Sequence, residues 1–94
     1  GFMKVDVEGH EMAVLKGAAN TIARDRPVMI VEAEERHTGR SLDSLLDEIE
    51  AYGYRAHPIR RGRIIARDRL DIAADHRALA GKPGYVNNFL CLPA

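Results

Sequence analysis

Ninety-four residues, 46% hydrophobic and 30% charged, leave room for one small core, so the chain makes one domain or part of one. Fourteen Lys and Arg against fourteen Asp and Glu give a formal net charge of zero, which excludes a long-range field favouring nucleic acid or an anionic membrane. The longest apolar runs are about five residues, far short of the roughly 20 that cross a bilayer, and no basic-then-apolar leader opens the sequence, so a soluble, cytoplasmic protein is expected.

Phe2 to Val7 is a β-branched and apolar run that predicts a strand, broken by Glu8-Gly9. From His10 to Arg24 the apolar residues Val14, Leu15, Ala18, Ala19 and Ile22 recur at spacings of three and four, which predicts one amphipathic helix, weakened but not abolished by Gly17. Pro27 ends it, because the residue before a proline is pushed out of the α region, and Val28-Met29-Ile30-Val31 then reads as a strand buried on both faces. After a loop from Glu34 to Arg40, Ser41 is an N-cap candidate for a second amphipathic helix carrying Leu42, Leu45, Leu46 and Ile49 up to Gly53. Strand, helix, strand, helix with continuous apolar strands predicts an α/β fold with a parallel sheet and right-handed crossovers.

The second half is less regular. Tyr54 to Ile59 reads as a strand, Arg61-Gly62 as a turn and Ile64-Ile65 as a short return strand. Ile72 to Leu79 predicts one or two helical turns, Gly81-Lys82-Pro83-Gly84 breaks them, and Val86 to Leu92 closes as a strand. Cys91, the single cysteine, lies in that apolar segment and is expected in the core, with no disulfide and no cysteine cluster for zinc.

The stretch KVDVEGHEMAVLKGA, Lys4 to Ala18, followed by RPVMIVEAE, Arg26 to Glu34, resembles the second half of the FkbM-type methyltransferases, whose pattern there is similar to K-I-D-V-E-G-x-E-x-x-V-L-x-G-A. Lys4, Asp6, Val7, Glu8, Gly9, Glu11, Val14, Leu15, Gly17 and Ala18 match it, and Val5 replaces an isoleucine of the same shape. The likeness continues through Pro27, Glu32, Gly53-Tyr54 and the Asn87-Asn88-Phe89-Leu90 strand, while Arg60 to Tyr85 carries no matching signature. The resemblance implies strands four through seven of a seven-stranded Rossmann-like class I fold: parallel strands first, then a closing strand, Val86 to Leu92, antiparallel between two neighbours. It also implies S-adenosylmethionine as cofactor and a small-molecule methyl acceptor, the hydroxyl of a sugar, lipid or polyketide-like compound. In the family a Gly-rich loop after the first strand and an acid ending the second hold most of the cofactor, and this sequence contains neither. Gly81-Lys82-Pro83-Gly84 lacks the spacing and the preceding strand. Residues 1–94 are therefore expected to be the C-terminal part of a methyltransferase domain, inactive as an isolated piece, with an upstream cofactor-binding half elsewhere.

Asp6 and Glu8 fall where a parallel strand gives way to a helix, and Glu32 ends the next strand, the place where open α/β sheets put reacting groups. Three carboxylates there could bind a substrate, take a proton from an attacking hydroxyl or coordinate a hard divalent cation. Asp6, Glu8 and Glu32 are the catalytic candidates, and Asp6, first choice for the reaction centre, is also the residue placed against the cofactor. The bland alternative makes Asp6 a turn residue and Glu8 or Glu11 acceptors near a helix N-terminus. His10 reads as a solvated surface group, and His37, His57 and His76 share no ligand-like spacing, so no metal site is assigned. Arg60, Arg61 and Arg63 without interleaved aromatics read as a solvated hairpin. A rival to the enzyme is a non-catalytic α/β binding or assembly module with structural carboxylates. Either way, the strand from Phe2 to Val7 is expected to keep an open edge, with Met3, Val5 and Val7 partly uncovered, and to support weak self-association.

Overall fold

The computed structural model describes residues 1–5 and 11–94. Asp6, Val7, Glu8, Gly9 and His10, and with them two of the three carboxylate candidates, lie outside the described residues.

Strand β1 (Phe2–Val5) runs parallel to β2 (Val28–Glu32), with Phe2 opposite Val28 and Val5 opposite Val31. Between them lie two short helices, α1 (Glu11–Gly17) and α2 (Ala19–Asp25), in place of the single helix expected from the periodicity. Gly17 gives the backbone the freedom to break here, and Ala18 adopts φ −97°, ψ 10°, outside helical values. Leu15 and Ile22 enter the core and Ala18 packs beside it, whereas Val14 stays 40% exposed.

The chain leaves α2 through Arg26, which takes a left-handed conformation, φ 47°, rather than the extended one expected before a proline. Its N–H donates to the Ile22 carbonyl, and its guanidinium donates to the carbonyls of Tyr52 at 2.9 Å and Gly53 at 2.7 Å while stacking over the Tyr54 ring. The Tyr54 hydroxyl in turn donates to the Pro27 carbonyl at 2.6 Å. These bonds offset the cost of the left-handed residue. Gly53, at φ 87°, must be glycine on two counts, since a Cβ there would come within 2.9 Å of the Arg26 guanidinium.

After β2 a short helix, α3 (Glu35–Thr38), stands in the expected loop, stopped by Gly39. Helix α4 (Leu42–Glu50) follows, and the Ser41 hydroxyl caps it by accepting from the Ser44 N–H at 3.2 Å, as predicted. Leu42, Leu45, Leu46 and Ile49 are all fully buried. Then come β3 (Tyr54–Arg60), a turn with Arg61 and Gly62 both at positive φ, and β4 (Arg63–Ile64), the hairpin geometry whose twist matches the flanking strands. A 3-10 turn at Arg67–Arg69 and a π-helical turn at Ile72–Arg77 lead to β5 (Asn88–Pro93).

The strand order is β1-β2-β5-β3-β4, with β5 antiparallel to both β2 and β3. The sheet is thus mixed, parallel at its start and antiparallel elsewhere, and the closing strand lies between two neighbours as the sequence implied. Pairing puts Met3, Val5, Met29, Val31, Phe89, Cys91, Tyr54 and Ala56 on one face, where they join Leu15, Ile22, Leu45, Leu46 and Ile49 in a single buried cluster. Two expectations change accordingly. Strand β2 is not buried equally on both faces, because Met29 and Val31 are fully buried while Val28 and Ile30 are half-buried. Met3 and Val5 are covered by α1, and the open face of β1 is the opposite one, where Phe2 is 64% exposed. No helix of the described residues is long and apolar enough to cross a membrane.

The outer edge of β1 carries no strand among the described residues. Self-association through this edge is proposed to be weak, with Phe2 as its apolar contact. Sedimentation from micromolar to millimolar concentration should show a reversible dimer that Phe2→Lys weakens at least threefold. A monomer throughout would remove the edge as an interface.

Candidate functional site

The carboxyl end of β2 carries Glu32, Ala33 and Glu34 before α3 begins. Because side chains alternate along an extended chain, Glu32 and Glu34 project to the same side. Glu32 is half-buried and opposite Asn88 of β5, while Glu34 is only 2% exposed. Val5 pairs with Val31, so β1 reaches its described end one residue short of Glu32, and the Asp6 and Glu8 candidates belong to the segment that follows. The register thus brings the end of β1 to the Glu32 end of β2.

Glu34 was not among the sequence candidates, yet it is the centre of the described cluster. One carboxylate oxygen, Oε1, accepts from Arg36 at 3.0 Å, and the other, Oε2, lies 2.8 Å from His37 Nδ1. Hydrogen bonds to Glu32 and to the Tyr85 phenol complete its surroundings. Burial alone would push this carboxyl up. The bonds shared with Glu32 and Tyr85, and the charges of His37 and Arg36, outweigh burial and hold it below the usual carboxylate range. Tyr85 responds in the opposite sense: burial, then the adjacent Glu34, raises its phenol well above the ordinary range, so it stays a neutral donor.

Behind this cluster a polar scaffold fixes the backbone. The buried His76 contacts the Val86 carbonyl through Nδ1 at 2.8 Å and accepts from the Glu35 N–H through Nε2 at 3.2 Å. That pairing makes it a neutral imidazole with its proton on Nδ1. Glu35 takes a forked pair of bonds from Arg77, at 2.6 and 3.0 Å, and accepts from the Leu42 N–H at 2.6 Å. The Arg77 bond is the main reason its carboxyl lies low. A cavity of about 300 Å³ lined by Arg36, His76, Arg77, Ala80 and Tyr85 opens beside the cluster. A larger hollow of about 730 Å³ lies elsewhere, against Arg67. There Arg67 bonds Asp47 and Glu50, at 2.8 and 2.6 Å, and clamps α4 to the 3-10 turn. Cys91 is fully buried, its thiol pushed up to about 12 by burial and then by Glu50, so it is inert packing.

Among the described residues no group of three or more His, Cys, Asp or Glu is placed to hold a metal ion. The geometry offers instead an anionic centre with adjacent imidazole, phenol and guanidinium groups, at the end of a parallel strand. The family model for the methyltransferase FkbM domain matches residues 1–56, well over half of the chain. The chain belongs to the FkbM methyltransferase family. The matched FkbM segment runs from β1 through α4 into β3 and includes the Lys4 to Ala18 motif and all of Glu32, Glu34, Arg36 and His37. Searches of curated proteins and of solved structures returned no match.

A signal for Glu34 and His37 did exist in the sequence. Glu32-Ala33-Glu34 alternates as a strand end should, and Glu34 to His37 is a three-residue step, one helical turn. The stretch reads as a polar loop unless α3 is recognised.

Since Glu34 and Glu35 both lie below the usual carboxylate range when folded, their contribution is complete above the unfolded carboxylate pKa. It is lost as pH falls through their folded values. Stability is therefore expected to decline on the acid side, from about pH 5 downward. Glu34→Gln should cost about 1–3 kcal/mol near neutrality and flatten that decline. Urea unfolding at neutral pH and at about pH 3 checks this, and an equal loss in both proteins would show that Glu34 carries none of the dependence.

Proposed function

We propose that the chain forms the acceptor side of a cytoplasmic, S-adenosylmethionine-dependent O-methyltransferase with a Rossmann-like fold, acting on a hydroxyl of a small molecule, sugar or lipid. The family match over residues 1–56 carries this reading. The strand order, with an antiparallel strand between β2 and β3, supports the fold.

The cofactor site is expected to lie mainly outside this chain. Gly81 and Gly84, the one glycine pair near a turn of this kind, follow a helical turn rather than a strand and are separated by Lys82-Pro83. A phosphate- or ribose-cradling turn needs a strand before it and a helix after it. The work assigned to this chain is to bind and orient the acceptor and to handle its proton, with Asp6 at the reaction centre and facing the cofactor, and Glu8 and Glu32 beside it. Asp6 is ranked first because it is the next residue in the sequence after Val5, the last residue of β1, and open α/β sheets meet ligands at their strand ends.

The 94-residue chain alone is expected to be inactive and to bind S-adenosylmethionine no more tightly than about millimolar, an affinity of roughly 4 kcal/mol. Calorimetric titration checks this. A micromolar dissociation constant would mean that the chain holds a cofactor site of its own.

A further inference from the structure

We propose that His37 is the general base that accepts the proton of the acceptor hydroxyl, with the buried Glu34 as its positioning residue. This rests on the methyltransferase reading and names the proton acceptor within it.

The arrangement follows from local structure. Glu34 is the extended residue immediately before α3, and His37 lies one helical turn on, so the imidazole folds back over the carboxylate. His37 Nδ1 meets Glu34 Oε2 at 2.8 Å. Glu34 is in turn immobilised: it is 2% exposed, Arg36 holds its other oxygen, and its own carbonyl accepts from the Thr38 hydroxyl and the His37 N–H. A carboxylate that accepts only can be met by Nδ1 only as a donor, so whenever the ring carries a single proton that proton is on Nδ1 and the lone pair is on Nε2. Among the described residues Nε2 makes no hydrogen bond, and the side chain is 31% exposed, open to a ligand. The pairing of a buried carboxylate with a partly exposed imidazole is the arrangement that fixes both tautomer and ring orientation.

Position favours this pair over the other groups. Glu34 also hydrogen-bonds Glu32, so His37 is one residue removed from the strand-end carboxylates that the sequence singled out. Among the described residues, the titratable and charged groups facing the pair are Glu32 from β2, Arg36 from α3, and Tyr85 from the segment before β5. Histidine is the side chain most often used for general acid–base proton transfer. In the step assigned here the acceptor O–H bond breaks, its proton passes to His37 Nε2, and the electron pair stays on the oxygen. The imidazolium so formed is stabilised by Glu34, which remains ionised.

Two measurements test this. In the 94-residue chain with ¹⁵N-labelled histidine, neutral His37 should be the Nδ1–H tautomer, and an Nε2–H tautomer would overturn the proposal. In a methyltransferase carrying this chain, His37→Gln should lower kcat about 10²–10⁴-fold with an unchanged fold, with most of the loss recovered on an acidic phenolic acceptor that needs no base. Glu34→Gln should move the acid limb of the kcat/KM profile to lower pH. A His37→Gln enzyme within threefold of wild type, with the same pH profile, would overturn the role of His37 while leaving the methyltransferase reading intact. A wild-type enzyme that methylates no hydroxyl compound would instead overturn that reading.

Discussion

Asp6→Asn, in a methyltransferase carrying this chain, is expected to lower turnover about 10²–10⁴-fold while leaving the fold intact, the range of loss for a positioned acid or base group. The substitution keeps the shape and hydrogen-bonding reach of the side chain and removes its charge and its ability to accept at both oxygens. Asp6 follows directly on β1, whose last described residue, Val5, is buried and held in register opposite Val31. Asp6 is the next residue in the sequence, and Val31, the partner of Val5, is followed by Glu32. If Asp6 orients the reacting groups, the loss should fall on kcat with KM for the acceptor changed little, because positioning is realised most strongly in the transition state. Circular dichroism and a cofactor titration on the variant separate this from misfolding. Unchanged turnover would make Asp6 a turn residue and leave the His37–Glu34 pair as the principal candidate.

Phe89→Ala is expected to destabilise the chain by about 3–5 kcal/mol, the cost of deleting a buried aromatic ring. Phe89 has no exposed surface and lies on β5, the strand that joins the parallel pair to the β3–β4 hairpin, opposite Val31 on one side and Pro58 on the other. Few large side chains share the load. Two phenylalanines and no tryptophan are present, and the other phenylalanine, Phe2, is largely exposed. A small domain with a total stability of about 5–15 kcal/mol has little margin for such a loss. Denaturant unfolding should show a midpoint shifted far down, with hydrogen exchange accelerated in β2 and β3 together. A loss under about 1 kcal/mol would mean that the sheet centre repacks around the gap.

How far the sequence carried differs from element to element. The parallel pair, the Ser41-capped helix and the Arg61-Gly62 hairpin turn depend on local chemistry: apolar runs, one hydroxyl, one permissive glycine. Each of these appears in the structure. The break at Ala18 was hidden because a three- and four-residue spacing survives a small rotation between successive turns. Arg26 was hidden because its left-handed backbone is sustained by the carbonyls of Tyr52 and Gly53, 26 and 27 residues on. The site divides the same way. Glu32 was legible as the end of an apolar strand, whereas Glu34 is singled out by its burial and by a hydrogen bond from Tyr85, about fifty residues later. Polar residues after a strand look solvated until something distant covers them.

The most direct test of the central claim is to incubate a methyltransferase carrying this chain with S-adenosylmethionine labelled in its methyl group and a panel of hydroxyl-bearing sugars, lipids and small molecules. Products are then analysed by mass spectrometry and NMR. The label is expected on an oxygen of at least one acceptor, and it should be lost when Asp6→Asn is substituted. Transfer to nitrogen or carbon alone, or no transfer from an enzyme shown to bind the methyl donor, would contradict the assignment of this chain as the acceptor side of an O-methyltransferase.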